Sequence, residues 1–217
     1  MKTFLSIGSG PGIGYATAAR FARDGFQIIL SARDPAKIQE QANRLKAKGY
    51  PVDVRAVDSA DPGRVAALIN EVQKQFGPID VLHYNAASIR KATVAEQPGA
   101  TFNQDLATNV GGALVATQAV VRQMSERGSG TILLTGGGFS LAPNPDYISL
   151  SIGKAGIRAM TLGLFDSLKE KGIHIATVTV HTAVIPDSKE AEAVGEHFWQ
   201  LHSQPIGKWT AEVTYSG

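Results

Sequence analysis

The sequence contains no cysteine among its 217 residues, which excludes disulfides and thiolate metal sites. An excess of charge of either sign is missing as well. The formal net value of +2 is too small to argue for a nucleic-acid or membrane partner. No run of roughly 18 apolar residues is present, so no transmembrane helix is expected. The opening residues MKTFLSIG lead straight into a strand and a glycine loop, without the apolar stretch and small-residue cleavage site of a signal peptide. Five histidines occur, and only His197 and His202, five apart on one expected helix, come near metal-ligand spacing. A cytoplasmic chain without a metal is therefore the expectation. Internal repeats, low-complexity linkers and breaks in composition are also missing, so residues 1–217 are expected to form a single domain. That length lies near the upper end of what one hydrophobic core serves.

Short apolar runs alternate with helical patterns from the start. Residues 3–7, 27–31, 52–57, 79–83, 131–135 and 173–180 read as strands, with 209–215 a weaker seventh. Between them Val65, Leu68, Ile69, Val72 and Phe76 follow the helical spacing, as do Ile38, Ala42 and Leu45. Residues 15–23 and 189–203 read as further helices. Ile28-Ile29-Leu30 and Ile132-Leu133-Leu134 lack polar alternation, the mark of strands covered on both faces. Strands alternating with helices across short loops predict an α/β fold: a doubly wound parallel sheet of about seven strands in three layers, the Rossmann fold.

After the first strand stands Gly8-Ser9-Gly10-Pro11-Gly12-Ile13-Gly14. Gly8 lets the chain turn out of the strand. Gly12 and Gly14 permit close approach of backbone to a pyrophosphate and of helix to sheet. The helix start then offers unpaired N–H groups to phosphates. Such a motif means little alone, but its place between a first strand and a helix is the context it requires.

From here the chain resembles the short-chain dehydrogenase/reductase (SDR) family. The spacing Gly8-x3-Gly12-x-Gly14 is that family's, with Ile7 in place of the usual Thr. Val57-Asp58, followed by Ser59, is similar to its adenine-contact aspartate. Tyr84-Asn85-Ala86-Ala87 resembles its Asn-Asn-Ala-Gly motif with the first Asn and the Gly replaced. Thr108-Asn109-Val110 carries its helix asparagine, and Lys154 its lysine. The resemblance spans nearly the whole chain. It implies a dinucleotide held by residues 8–14 (Gly8, Ser9, Gly10, Pro11, Gly12, Ile13, Gly14), by Ser31, Ala32 and Arg33, and by Asp58 and Ser59. Asn85, Ala86, Ala87, Asn109, Lys154 and Val184 complete that set. It further implies a small-molecule substrate and a homodimer or homotetramer built on the long helices and last strand.

The second strand ends Ser31-Ala32-Arg33-Asp34. An NAD-binding chain would place a carboxylate where Ala32 stands. Arg33 can instead clamp a 2′-phosphate, which puts NADP(H) ahead of NAD(H); a solvated surface charge is the plainer alternative. Asp34 reads as an N-cap for Pro35-Ala36.

The family's chemistry needs a Tyr four residues before the Lys and a Ser thirteen before that. Leu150 and Gly137 stand there, so both are missing while Lys154 and Asn109 remain. Three substitutes exist. Tyr147 lies about two helical turns before Lys154, on the same side if the helix extends that far. Ser140 is three residues past the expected serine. His181 falls at the carboxyl end of the sixth strand, where a titratable imidazole can act. Pro186 takes the place of the family's carboxamide-binding Thr, and the lid segment after the sixth strand is short. Lys154 retains the family's second role, bonding the nicotinamide ribose. The leading expectation is an NADP(H)-dependent oxidoreductase acting on a carbonyl, alcohol or C=C substrate. Lys154, Asn109 and Tyr147 are its catalytic candidates, and the cofactor carries the hydride chemistry. The alternatives are a non-catalytic NADP-binding sensor or subunit and a non-redox isomerase or dehydratase.

Overall fold

The computed structural model describes residues 1–217. Apolar runs without alternation form strands covered on both faces: β1 (Thr3–Ile7), β2 (Gln27–Ala32), β4 (Ile79–Tyr84), β5 (Gly130–Thr135) and β6 (Ile173–Val180) are almost wholly buried. β3 (Val52–Ala56) and β7 (Glu212–Tyr215) are only half-buried, as befits the two edges. All pair in parallel, in the order β3-β2-β1-β4-β5-β6-β7. This is the doubly wound Rossmann sheet, and its winding reverses between β1 and β4, where open α/β sheets form their ligand crevice.

Helices α1 (Ile13–Ala22), α2 (Gln39–Lys46), α3 (Pro62–Phe76), α4 (Gly99–Leu106), α5 (Gly112–Arg127), α6 (Ile148–Lys169) and α7 (Lys189–Ser203) fill the connections. Their ends are written in the sequence. Asp61 caps α3 through the Arg64 N–H with Pro62 in the first turn, and Ser188 caps α7 through the Ala191 N–H. Gly128, at φ 63, closes α5 in the left-handed region. β1 sends Leu5 and Ile7 to one face, where α3, α5 and α6 supply Val65, Leu68, Ile69, Val120, Met124 and Ile157. Phe4 goes to the other face, against α1, α2 and α7. There Phe21 stacks on Phe4 (centroids 4.6 Å) and meets Phe26 and Trp199 edge-on.

Two boundaries depart from the sequence reading by more than one residue. The helix expected at 15–23 starts earlier, at Ile13, because the Tyr15 and Ala16 N–H groups already bond the Gly10 and Gly12 carbonyls. The last strand is confined to Glu212–Tyr215, since Trp209 leaves the sheet plane to stack on His174 (4.7 Å) and donate to the Gln204 carbonyl. No helix is long and apolar enough to cross a membrane.

Candidate functional site

The crevice at the winding reversal is built from its floor upward. The chain leaves β1 through Gly8 at φ +86. A side chain there would collide with the Ala86 backbone, and one at Gly14 would meet Ser9 Cα at 2.9 Å. Ser9 and Ser31 fasten this turn from below rather than facing the crevice. Ser9 Oγ donates to the Ser6 carbonyl (3.0 Å) and accepts the Ser31 N–H (3.0 Å), and Ser31 Oγ donates to the same carbonyl (2.7 Å). The Gly8 and Ser9 N–H groups both end on the Ser31 carbonyl. By contrast, a Cβ at Gly10 would meet nothing within 4 Å, and one at Gly12 only the Val184 carbonyl at 3.8 Å. The Gly12 and Ile13 N–H groups at the head of α1 have no backbone partner. Open backbone over a helix N-terminus is what a phosphate needs.

The opposite wall follows β4. Asn85 Nδ2 donates to the Gly8 carbonyl (2.8 Å), which fixes its amide, and its Oδ1 accepts from Thr135 Oγ1 (2.9 Å). Thr135 has then spent its proton, so His83 Nε2 must donate to Thr135 Oγ1 (3.2 Å) and His83 Nδ1 must accept from Ser6 Oγ (3.1 Å). Burial, reinforced by the charge on Lys154, pulls the His83 pKa down to about 3, keeping it neutral in this chain of bonds. Sequence spacing carries no signal for that relay.

Above these walls lies a cleft of about 610 Å³, lined by Gly10, Gly12, Ile13, Asn85, Ala87, Val184, Lys154, Tyr147, Leu150 and His181, with Gly136, Gly137, Gly138, Phe139 and Ile89. Lys154 Nζ donates to the Thr135 carbonyl (2.7 Å) and has no carboxylate partner. Burial lowers its pKa to about 8. The leucine and glycine that replace the expected tyrosine and serine thus face the cleft beside it.

Other predicted residues take different places. Asn109 sits in a five-residue π-helical segment, Ala107–Gly111, and is buried outside the cleft. Its Oδ1 accepts the Ser88 N–H (2.6 Å) and its Nδ2 donates to the Ser88 carbonyl (3.2 Å), so it pins the segment that follows β4. Tyr147 is in the cleft, but not on the helix: α6 starts one residue later, and Tyr147 (φ −137, ψ 42) is held by a bridge to Ala92 and a stack on Phe139 at 5.6 Å. Its helical alignment with Lys154 is therefore lost. Ser140 lies outside the lining, with its hydroxyl buried and unpartnered. His181 is exposed at the cleft mouth, and a Cβ on Gly138 would touch its ring at 2.9 Å. Arg33 is exposed at the end of β2 with no ion pair, while Asp34 caps the next turn through the Ala36 N–H. Ala32 is half-buried beside it. The Asp58 carboxylate takes the Ala60 N–H (3.0 Å), Ser59 is buried behind it, Pro11 is exposed, and Ala86 backs Gly8.

Two features have no forerunner in the motifs. Asp105, 1% exposed, gathers Ser88 Oγ (2.6 Å), Arg90 Nε (2.8 Å), Gln97 Nε2 (3.0 Å) and Ser149 Oγ (3.0 Å). Asp187, at the unusual φ of 57, is gripped by Arg44 (2.7 and 3.3 Å), which ties the segment after β6 to α2. Both contacts join residues far apart in sequence.

A doubly wound sheet with open glycines and a lysine at its winding reversal defines a Rossmann-type α/β protein. Residues 2–192 match the family model described as short chain dehydrogenase, and the chain belongs to that family. An uncharacterized oxidoreductase of Thermotoga maritima is 26% identical over 82% of this chain and 70% of its own. The crystal structure of a short-chain dehydrogenase from Rhodopseudomonas palustris superposes with a TM-score of 0.91 at 25% identity, covering 100% of this chain and 98% of that one. A metagenomic short-chain oxidoreductase in complex with NADP does so with 0.91 at 20% identity, over 99% and 96%; this second likeness bears on fold alone.

Proposed function

We propose that residues 1–217 form one NADP(H)-binding domain. It acts as an oxidoreductase that moves a hydride to or from a small carbonyl, alcohol or C=C substrate. The observation that carries the reading is the juxtaposition, across one cleft, of the open-faced Gly10 and Gly12 with the Lys154 ammonium. The fit is good at both ends. Open glycines at a helix start suit a pyrophosphate, and an ammonium with two N–H bonds to spare can give one of them to a ribose hydroxyl.

A reduced nicotinamide, when bound, supplies the hydride. Lys154 would hold the ribose, and Val184, Asn85 and Ala87 wall the cleft, with Ala86 behind Gly8. Asn109 acts at one remove, by fixing Ser88. Asp58 and Ser59 would border the adenine. Arg33, free of any ion pair, would hold the 2′-phosphate, and Tyr147 bounds the substrate space. With Ala32 where an NAD-binding chain would carry a carboxylate and Arg33 beside it, NADPH is favoured over NADH. Family resemblance further supports a homodimer or homotetramer and a cytoplasmic setting.

The test is fluorescence titration with NADPH and NADH, followed by a carbonyl panel. Arg33→Ala is expected to weaken NADPH binding by roughly 10- to 100-fold, the loss of one charge-assisted bond, and to leave NADH binding nearly as it was. Equal losses would sink the NADP assignment. Leu150 and Gly137, where a tyrosine and a serine would stand, favour a second reading: a sensor or subunit that binds NADPH without turning it over. Tight binding with no oxidation across the panel would select it.

A further inference from the structure

Three features of the cleft belong together. At Gly137 a Cβ would lie 3.3, 3.4 and 3.5 Å from Cγ, Cδ and Cε of Lys154, so the lysine stem packs directly against the place where a serine side chain would start. One turn earlier on α6, Leu150 is 7% exposed and offers only methyl groups. And the lysine ammonium spends a single N–H bond on the protein, to the Thr135 carbonyl. We propose that Lys154 itself passes the proton to the substrate oxygen during carbonyl reduction, and recovers it during alcohol oxidation, on substrates with an apolar or aromatic body. The proposal rests on the oxidoreductase reading above and adds the proton donor and the substrate class to it.

The groups facing Lys154 leave it little competition. Under it, on β4, His83 is buried, neutral and committed to Ser6 and Thr135. Tyr147, at the head of α6, is stacked on Phe139. His181, at the end of β6, is exposed at the mouth, with Glu212 of β7 behind it already paired to Arg158. The π-helical segment contributes only the bonded amide of Asn109. No carboxylate holds Lys154 in its charged form, and burial draws its pKa to about 8, within reach of proton exchange near neutrality. Ile89, Phe139, Tyr147 and Leu150 give the rest of the wall an apolar character suited to an aryl or alkyl carbonyl.

The step balances. Hydride from the reduced nicotinamide dinucleotide forms the new C–H bond at the carbonyl carbon, and the C=O π pair moves onto oxygen. An O–H bond forms there as an N–H bond of the ammonium breaks, its electrons staying on nitrogen. The neutral amine then recovers a proton from bulk solvent, so that one proton is consumed with each hydride.

The experiment combines NMR titration of 13C-labelled lysines with kinetics on benzaldehyde and benzyl alcohol at saturating cofactor. In the free protein one lysine signal, absent from Lys154→Met, is expected to titrate at about 8. Benzaldehyde reduction should fall tenfold per pH unit above that value, and benzyl alcohol oxidation should fall tenfold per unit below it. Lys154→Ala should lose at least 100-fold in rate and regain at least tenfold with methylammonium, but not with tetramethylammonium, which carries charge without a proton. Titration at the ordinary lysine value, equal rescue by both cations, or loss of the pH limb in His181→Ala would each overturn the lysine as donor while leaving the oxidoreductase reading intact. Failure of the wild-type protein to bind NADPH, or binding without turnover, would overturn both.

Discussion

Gly8 and Gly10 are two residues apart in one loop, yet their missing side chains serve different ends. At Gly8 both the φ of +86 and the Ala86 backbone forbid a Cβ, so Gly8→Ala should cost about 3 kcal/mol or more of stability. At Gly10 a Cβ meets open space. Gly10→Ala is therefore expected to leave the unfolding free energy from urea titration unchanged within about 0.5 kcal/mol while reducing NADPH affinity at least tenfold. A Gly10→Ala protein that binds as well as wild type would show that no phosphate approaches this backbone. The motif announced both glycines in advance, since strand, loop and helix follow one another directly. It could not sort the two jobs, because the partner of Gly8 is the backbone at Ala86, three strands and three helices further along.

Between elements, the most consequential contacts are polar. Asp105, at the end of α4, binds Ser88 and Arg90 after β4, Gln97 before α4 and Ser149 on α6. Burial would raise its pKa, but the bonds from Arg90, Ser88 and Ser149 outweigh it and hold the carboxylate below its usual range. Asp105→Ala leaves several of these donors unpaired, and a loss of roughly 3 kcal/mol is expected in urea unfolding. Faster proteolysis within 88–98 should accompany it. Stability equal to wild type would mean that the segment is fixed by backbone bonds alone. The close passage of α6 over the π-helical segment belongs to the same scale: a Cβ at Gly156 would lie 2.8 Å from Val110, and Gly153 abuts Asn109. No helical periodicity in 99–127 foretells the π segment, whose close neighbours lie on another helix. For the same reason, the two-turn spacing of Tyr147 and Lys154 suggested an alignment that the bridge to Ala92 breaks.

For the whole molecule, acid sensitivity follows from buried histidines, His83 and His202 above all, with His174 lowered by burial as well. Burial first, then nearby charge from Lys154, lowers His83 to about 3; burial, then Lys2 and His174, lowers His202 to about 4. Both are therefore neutral in the folded state at pH values where the unfolded chain is already protonated. Their contribution is complete above pH 6.5 and is lost as pH falls from there toward 4 and 3. Where both act, stability should fall by about 2.7 kcal/mol per pH unit, and His202→Gln should remove about half of that slope. A midpoint flat between pH 6 and 4 would contradict the burial of these rings. The second expectation concerns association. α5 and α6 carry Leu114, Ile152 and Leu162 at 54, 48 and 43% exposure, an apolar face in keeping with the proposed dimer or tetramer. Sedimentation should give a multiple of the 22.9 kDa chain, reduced to monomer by Leu162→Glu. A wild-type monomer would remove the oligomer from the reading.

The order of apolar runs, helical spacing and glycine loop in the sequence was enough to determine the doubly wound sheet. Strands buried on both faces and right-handed crossovers leave few other arrangements. It also settled what is missing, since Leu150 and Gly137 carry no acid or hydroxyl whatever surrounds them. Only the tertiary structure decided what remains in their place. Gly137 comes from the loop after β5 and Lys154 from α6, and their packing draws the lysine stem into the cleft. The Thr135 carbonyl, the neutral His83 and the absence of a facing carboxylate then set its chemistry. Desolvation and hydrogen bonding depend on neighbours in space, and those neighbours are brought from β4, β5 and β6 by the fold.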